Sequence, residues 1–143
     1  MKWLAICVSV VVAAAIVAGF VAVGSPAKQR KVRLDQTRVQ NLQLIEDQVN
    51  NYAAQNGHLP AGLGDIASNL PKDPETQNDY TYTLKVNLNY QLCATFDLAS
   101  SDSKTNYPSY YPASYNESWD HSAGQACFDR TANTNLYPPM PVQ

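Results

Sequence analysis

The chain has 143 residues, of which 45% are hydrophobic and 15% are charged, and its formal net charge is −2 at pH 7. A chain of this length forms one modest domain with at most one accessory segment. The small negative net charge excludes a protein that coats nucleic acid by bulk electrostatics, and the composition excludes a disordered chain and a multi-pass transporter. We therefore expect no nucleic-acid partner.

Residues 1–26 predict a membrane anchor. Residues 3–23 form a run of 21 residues with no charge and one serine. A helix of that length spans about 30 Å, the thickness of the hydrocarbon core of a bilayer. The alternatives are a cleaved secretory signal, whose apolar part is normally shorter, and a lipoprotein, for which Cys7 lies too near the start. The length of the run favours a retained anchor.

Two features of the sequence indicate opposite topologies. The basic residues that flank the predicted membrane segment, and that we expect to contact anionic lipid headgroups, are Lys28, Arg30, Lys31 and Arg33. By the positive-inside rule they place the following domain in the cytoplasm. Cys93 and Cys127 lie in or beside predicted strands, and a disulfide between them requires an oxidising compartment, whereas two reduced thiols do not. We favour the disulfide and a domain outside the cytoplasm.

Residues 27–143 predict an α+β domain. Apolar residues recur at three- and four-residue spacing from Val39 to Ala53, which predicts an amphipathic helix that stops at Gly57. Alternating patterns predict strands. The predicted segments are a helix over 27–56, a loop with a short helix over 57–78, a sheet with loops over 79–130 (strands 79–88, 90–96 and 125–129) and an extended tail over 131–143. We expect one long N-terminal helix, half transmembrane and half amphipathic, packed on a small antiparallel sheet of about three strands.

The sequence offers no strong constellation for catalysis, a cofactor or a metal. His121 lies six residues before Cys127 and could in principle activate it as a nucleophile, but no peptidase signature surrounds this pair. Cys93, Cys127 and His121 also lack the spacing of a zinc site. One loop carries three carboxylates that could bind calcium, namely Asp73, Glu75 and Asp79. The loop lacks the spacing of a dedicated calcium site, and a turn capped by an aspartate side chain is the simpler interpretation. We expect a protein that is not an enzyme.

An aromatic segment before the last predicted strand is the candidate surface for a partner. Its residues are Tyr107, Tyr110, Tyr111, Tyr115 and Trp119. Aromatic side chains in a loop tied by a disulfide also serve as local core, so the sequence leaves both roles open.

Several short motifs in a fixed order resemble the type IV pilin and type II secretion pseudopilin superfamily over roughly residues 3–97. Behind the apolar run they are Arg38-x-x-x-Leu42-x-x-Ile45, Tyr52-x-x-x-Asn56-Gly57-x-Leu59-Pro60, Pro71-x-Asp73-Pro74-x-Thr76 and Tyr80-x-Tyr82. The residues around Cys93 and from Trp119 to Phe128 are similar to a bacterial single-pass subgroup. The resemblance implies a long helix, half in the membrane, that carries a small sheet outside the cytoplasm. It also implies pilin-like or secretion-system proteins, or further copies of the chain, as partners.

The chain departs from the pilin pattern at its N-terminus. Pilins carry a Gly–Phe processing site before the apolar segment and a glutamate at the fifth residue of the mature chain. Here Gly19-Phe20 lies near the end of the apolar run, and Gly24 takes the position of the glutamate. We therefore expect an unprocessed anchor. The function we expect is a structural, assembly or adhesive role in the bacterial envelope. The alternative is a standalone anchored binding or sensor module that uses loop 100–121.

Overall fold

The computed structural model describes residues 2–23, 25–103 and 118–132. A long helix packs on a three-stranded antiparallel sheet, which confirms the α+β prediction. The elements in chain order are α1 (Lys2–Val23), α2 (Pro26–Asn56), a 3₁₀ helix (Leu63–Asp65), β1 (Thr81–Leu84), β2 (Asn89–Phe96), α3 (Ser100–Ser103) and β3 (Gly124–Thr131). Most of the predicted tail, from residue 133 onwards, lies outside the described residues.

The side chains that the structure describes along helix α1 form no polar face. The apolar side chains described along it are exposed, among them Trp3, Ile6, Val11 and Ile16. Of the helices in the described ranges, none combines the length and the apolar character required to cross a membrane.

Local sequence signals set both ends of α2. The Ser25 side chain accepts a hydrogen bond from the Lys28 backbone N–H at 3.3 Å, and Pro26 occupies the first turn, where its missing N–H has no cost. At the other end, Gly57 takes a left-handed φ of 73° and donates its N–H to the Ala53 carbonyl at 2.8 Å. The predicted helix end at Asn56-Gly57 is therefore confirmed.

One face of α2 and one face of β2 form the centre of the core. The apolar stripe predicted on α2 is buried, with Leu42, Ile45 and Val49 fully enclosed. The alternating residues of β2 that the sequence places on one face are buried against it: Tyr90, Leu92, Ala94 and Phe96. Because these two faces bury each other, α2 is an integral part of the domain.

The first strand is shorter than the sequence predicts. β1 ends at Leu84, and a turn follows in which Asn87 and Leu88 have positive φ values of 56° and 60°. The Asn89 N–H donates to the Val86 carbonyl at 3.1 Å and closes this turn. Val86 is 76% exposed, so the prediction of a strand through residue 88 is wrong at that end. Apolar alternation continued into the turn, where no partner strand exists to bury it.

The antiparallel register of β2 and β3 explains the disulfide. Cys93 lies directly opposite Cys127, and the two form a disulfide bond, as predicted. The Ala132 N–H donates to the Leu88 carbonyl at 2.8 Å, so even-numbered residues at this edge of β2 make the hydrogen bonds to β3. Cys93 is then a non-hydrogen-bonded position, where opposed Cα atoms approach most closely; here they are 4.1 Å apart.

Candidate functional site

A buried arginine lies where α2 meets the end of the sheet. Arg38 is only 4% exposed at its side chain, and its guanidinium contacts four carboxylates. We name Arg38 and these partners the Arg38 cluster: Arg38, Asp35, Asp73, Glu75 and Asp97. Because a charge costs free energy to bury unless it is paired, this degree of pairing is what permits an arginine in the core.

All three guanidinium nitrogens of Arg38 donate hydrogen bonds to carboxylates. Its Nε donates to Asp73 Oδ2 at 2.7 Å, and one terminal nitrogen donates to Asp35 Oδ1 at 2.8 Å and to Asp97 Oδ2 at 2.6 Å. The other terminal nitrogen donates to Glu75 Oε2 at 3.2 Å. Asp35 precedes Arg38 by three residues on α2, so the two side chains share one face of the helix.

Asp73 organises a turn while it binds Arg38. Its Oδ1 accepts hydrogen bonds from the backbone N–H groups of Glu75 and Thr76, at 3.0 and 2.8 Å, and from the Thr76 hydroxyl at 3.1 Å. This is the capped turn that the sequence favoured for the Asp73-Pro74 dipeptide. The Arg38 cluster thereby fixes the loop that leads into β1.

Asp35 joins the helix to the end of β2. Its two oxygens accept the backbone N–H groups of Asp97 and Leu98, each at 2.9 Å. Since Asp97 also pairs with Arg38, the end of β2 is held to α2 both by its backbone and by a side chain. Three separate segments, namely α2, the Asp73 turn and the end of β2, thus meet at the Arg38 cluster.

The charges in the Arg38 cluster stabilise one another. Burial alone would lower the pKa of Arg38, but its hydrogen bonds to Asp73, Asp97 and Asp35 hold that pKa above its ordinary value. Burial would raise the pKa of Asp73, yet the hydrogen bonds from Arg38 and from the backbone of Thr76 and Glu75 lower it to about 2. Asp73 is therefore ionised at neutral pH and is not suited to transfer a proton.

An open groove of about 380 Å³ lies beside the Arg38 cluster, between the Asp73 turn and β2. Its walls are formed by the chain from Asn78 to Thr81 on one side and from Cys93 to Asp97 on the other. The groove exists because β1 begins at Thr81 while β2 continues to Phe96, so the two chain segments separate past the Thr81–Cys93 pair. No family model, curated protein or solved structure matches the chain.

The predicted basic residues divide into two kinds. Arg30 lies 3.7 Å from Glu75 and Lys31 lies 3.8 Å from Asp97, so both border the Arg38 cluster through exposed ion pairs. Such pairs contribute little to stability. The exposed side chains of Lys28 and Arg33 have no ion pair within the described ranges.

Of the aromatic residues predicted as a partner surface, the structure describes Trp119. It is 7% exposed, its ring is tilted by 56° against that of Phe128 with centroids 4.7 Å apart, and the Arg130 guanidinium lies 4.2 Å from its centroid. Trp119 therefore belongs to the hydrophobic core, which is one of the two roles that the sequence left open. The remaining members of that predicted surface lie outside the described residues: Tyr107, Tyr110, Tyr111 and Tyr115.

The weaker chemical hypotheses do not fit the geometry. Asp79 forms an ion pair with Lys72 at 3.2 Å, whereas Asp73 and Glu75 pair with Arg38. No group of His, Cys, Asp or Glu in the described part of the chain is arranged to hold a metal. Cys127 is bonded to Cys93, which removes it as a nucleophile. His121 is buried and stacks on Phe96, with ring centroids 3.6 Å apart.

The sequence motifs contained part of the Arg38 cluster without revealing that its members meet. Arg38 and Asp73 each appear in a pilin-like motif, but 35 residues separate them in the chain. The available signal was Asp35-x-x-Arg38, two opposite charges at positions that belong to the buried face of α2. Asp97 and Glu75 carried no such signal because their contacts depend on the tertiary fold.

Proposed function

We propose that this chain is a membrane-anchored, pilin-like extracytoplasmic protein with a structural or assembly role in the bacterial envelope. The observation that carries the proposal is the Arg38 cluster, which ties α2 to the sheet and to the loop before it. The helix that follows the proposed anchor is thereby one unit with the sheet. A domain braced in this way suits a building block of an assembly.

Sequence and composition support the anchor. Residues 3–23 are uncharged, and the described side chains of α1 show no polar face. A helix that is apolar all round needs an apolar environment. Ser25 and Pro26 begin a new helix directly after it, so the anchor leads into α2 through a very short connection. Membrane lipid is accordingly the first partner that we propose.

The disulfide supports the location outside the cytoplasm. The bond joins two cysteines that are 34 residues apart in the chain. Disulfide bonds form and persist in oxidising compartments and are rare in reducing ones. The four carboxylates of the Arg38 cluster are engaged with Arg38, and the low pKa of Asp73 is typical of a carboxylate in a structural ion-pair network. Both features agree with a structural role and no reaction.

Extraction of the intact chain from native membranes tests this proposal. Carbonate washing should leave the protein in the membrane fraction, and an amine-reactive cross-linker applied before solubilisation should trap multimers or complexes with envelope proteins. A protein that washes off the membrane would contradict the anchor. A monomer that resists cross-linking, and whose melting temperature shifts with a small ligand, would favour the binding or sensor module instead.

A further inference from the structure

The two cysteines of the disulfide differ in their access to solvent. Cys93 is 5% exposed and lies on β2, which pairs with β1 on one side and with β3 on the other. Cys127 is exposed and lies on β3, which forms one edge of the sheet in the part of the chain that the structure describes. The bond therefore joins a buried cysteine on the central strand to an accessible cysteine on an edge strand.

The neighbours of the two cysteines across the sheet differ as well. Directly paired residues of adjacent strands point to the same face of the sheet, with Cβ atoms about 5 Å apart. Cys93 has Thr81 opposite it on β1 and Cys127 opposite it on β3. Among the described residues, no strand lies on the far side of Cys127. Thr81 thus stands beside Cys93, whereas no strand residue takes the corresponding position beside Cys127 within the described ranges.

Exchange between a thiol and a disulfide requires access from a particular direction. A thiolate attacks one sulfur of the bond from the side opposite the other sulfur, because the leaving sulfur departs along the line of attack. For Cys93 that line comes from the direction of β1, where Thr81 lies. For Cys127 it comes from beyond the edge that β3 forms, so an attacking thiol reaches Cys127 without separating the strands.

We propose that Cys127 is the site at which external thiols exchange with this disulfide, in particular the dithiol of an oxidoreductase. The attacking thiolate bonds to Cys127 Sγ, and the bond between Cys93 and Cys127 breaks. Cys93 leaves with the electron pair as a thiolate and takes a proton from water. The second thiol of the oxidoreductase then attacks that enzyme's sulfur in the mixed disulfide, which releases Cys127 as a thiolate. The disulfide of this chain is reduced and the two thiols of the oxidoreductase are oxidised to a disulfide, so the electrons balance.

This exchange takes place in the folded domain and is independent of the proposed anchor and assembly. β2 and β3 pair along the whole of both strands, so hydrogen bonds on either side of the disulfide keep the strands together when it opens. Phe128 and Arg130 are the buried residues beside Cys127, and they lie on the opposite face of the sheet. The disulfide is therefore a reversible link on the outer face that does not take part in the core.

Brief reaction with reduced glutathione tests which sulfur is attacked. Cys7→Ser removes the one free cysteine of the chain, and the full-length variant is used in non-ionic detergent under native conditions. Exchange is stopped with acid, the released thiol is labelled with N-ethylmaleimide, and both groups are located by peptide mapping. Glutathione should lie on Cys127 and the maleimide on Cys93, in several-fold excess over the reverse pattern. In concentrated urea, where the strands no longer control access, this excess should disappear.

Variants of β1 test the reason for the preference. Thr81→Ala shortens the side chain that lies on the line of attack towards Cys93, so it should raise the share of glutathione found on Cys93. Thr83→Ala is the matched control, because Thr83 is exposed on the same strand and face but lies opposite Gln91. The proposal would be overturned by equal labelling of the two cysteines in the folded chain, by a bond that does not react there, or by a preference that persists unchanged in urea. An identical effect of Thr81→Ala and Thr83→Ala would also refute it.

Discussion

Replacing Arg38 by methionine tests whether the Arg38 cluster holds the domain together. Arg38→Met keeps much of the side-chain volume but leaves Asp35, Asp73 and Asp97 without their shared cation. Removal of one partner from a buried ion pair costs about 3–5 kcal/mol, because the remaining charge stays buried and uncompensated. A small domain has a total stability of about 5–15 kcal/mol, so the variant should lose a large part of it.

The pH dependence of this loss identifies its cause. In the wild type, Arg38 contributes to the low folded pKa of Asp73, and this stabilisation grows as pH rises and Asp73 ionises. Arg38→Met loses that contribution while the burial that raises the pKa of Asp73 remains, so the difference in stability from the wild type should widen from acidic to neutral pH.

Urea unfolding of the full chain in non-ionic detergent, monitored by circular dichroism, measures both the loss of stability and its pH dependence. Arg33→Met is the matched control: it lies on the same helix, is exposed and should change stability by less than about 0.5 kcal/mol. A loss below about 1 kcal/mol in Arg38→Met, or a loss that does not depend on pH, would refute the role assigned to the buried charge.

Three further predictions concern single groups. Because Asp73 has a folded pKa of about 2 against an ordinary 3.8, its contribution to the free energy of unfolding, about 2 kcal/mol, is present above pH ~4 and should be lost towards pH ~2. Unfolding of Asp73→Asn should lack this part of the pH dependence. Replacing both Cys93 and Cys127 by serine should cost about 3–4 kcal/mol, and non-reducing peptide mapping should find the two joined; free thiols in native protein would contradict this. Intact mass of the membrane protein should show a chain that begins at Met1 or Lys2, whereas a species that begins at Phe20 would show pilin-type processing.

Local patterns predicted the elements of the fold well. The stripe on α2 and the alternation on β2 follow directly from periodicity, since each element buries one face, and Gly57 marked the helix end. Prediction was wrong at the end of β1 because Val86 and Leu88 continue the alternation where the chain already turns. Alternation reports a pattern of side chains and does not report whether a neighbouring strand is present.

The candidate site was harder to predict because its contacts are not local. Arg38 meets Asp73 and Asp97 across 35 and 59 residues of sequence, and no spacing rule connects them. The disulfide was predictable because cysteines on neighbouring strands have few alternatives, whereas each carboxylate in an acidic loop has many. The groove depends on the difference in length between β1 and β2, and β1 begins only after the turn that Asp73 caps.

A pair of reporters fused after Gln143 tests the central claim, that α1 holds the domain outside the cytoplasm. One reporter is active only in the cytoplasm and the other only outside it, and both are read in cells that contain the full chain in their membranes. The account predicts a silent cytoplasmic reporter and an active external one, despite the basic residues that follow α1. The reverse result would place Cys93 and Cys127 in a reducing compartment and contradict the anchor topology, the disulfide in the cell and the envelope role together.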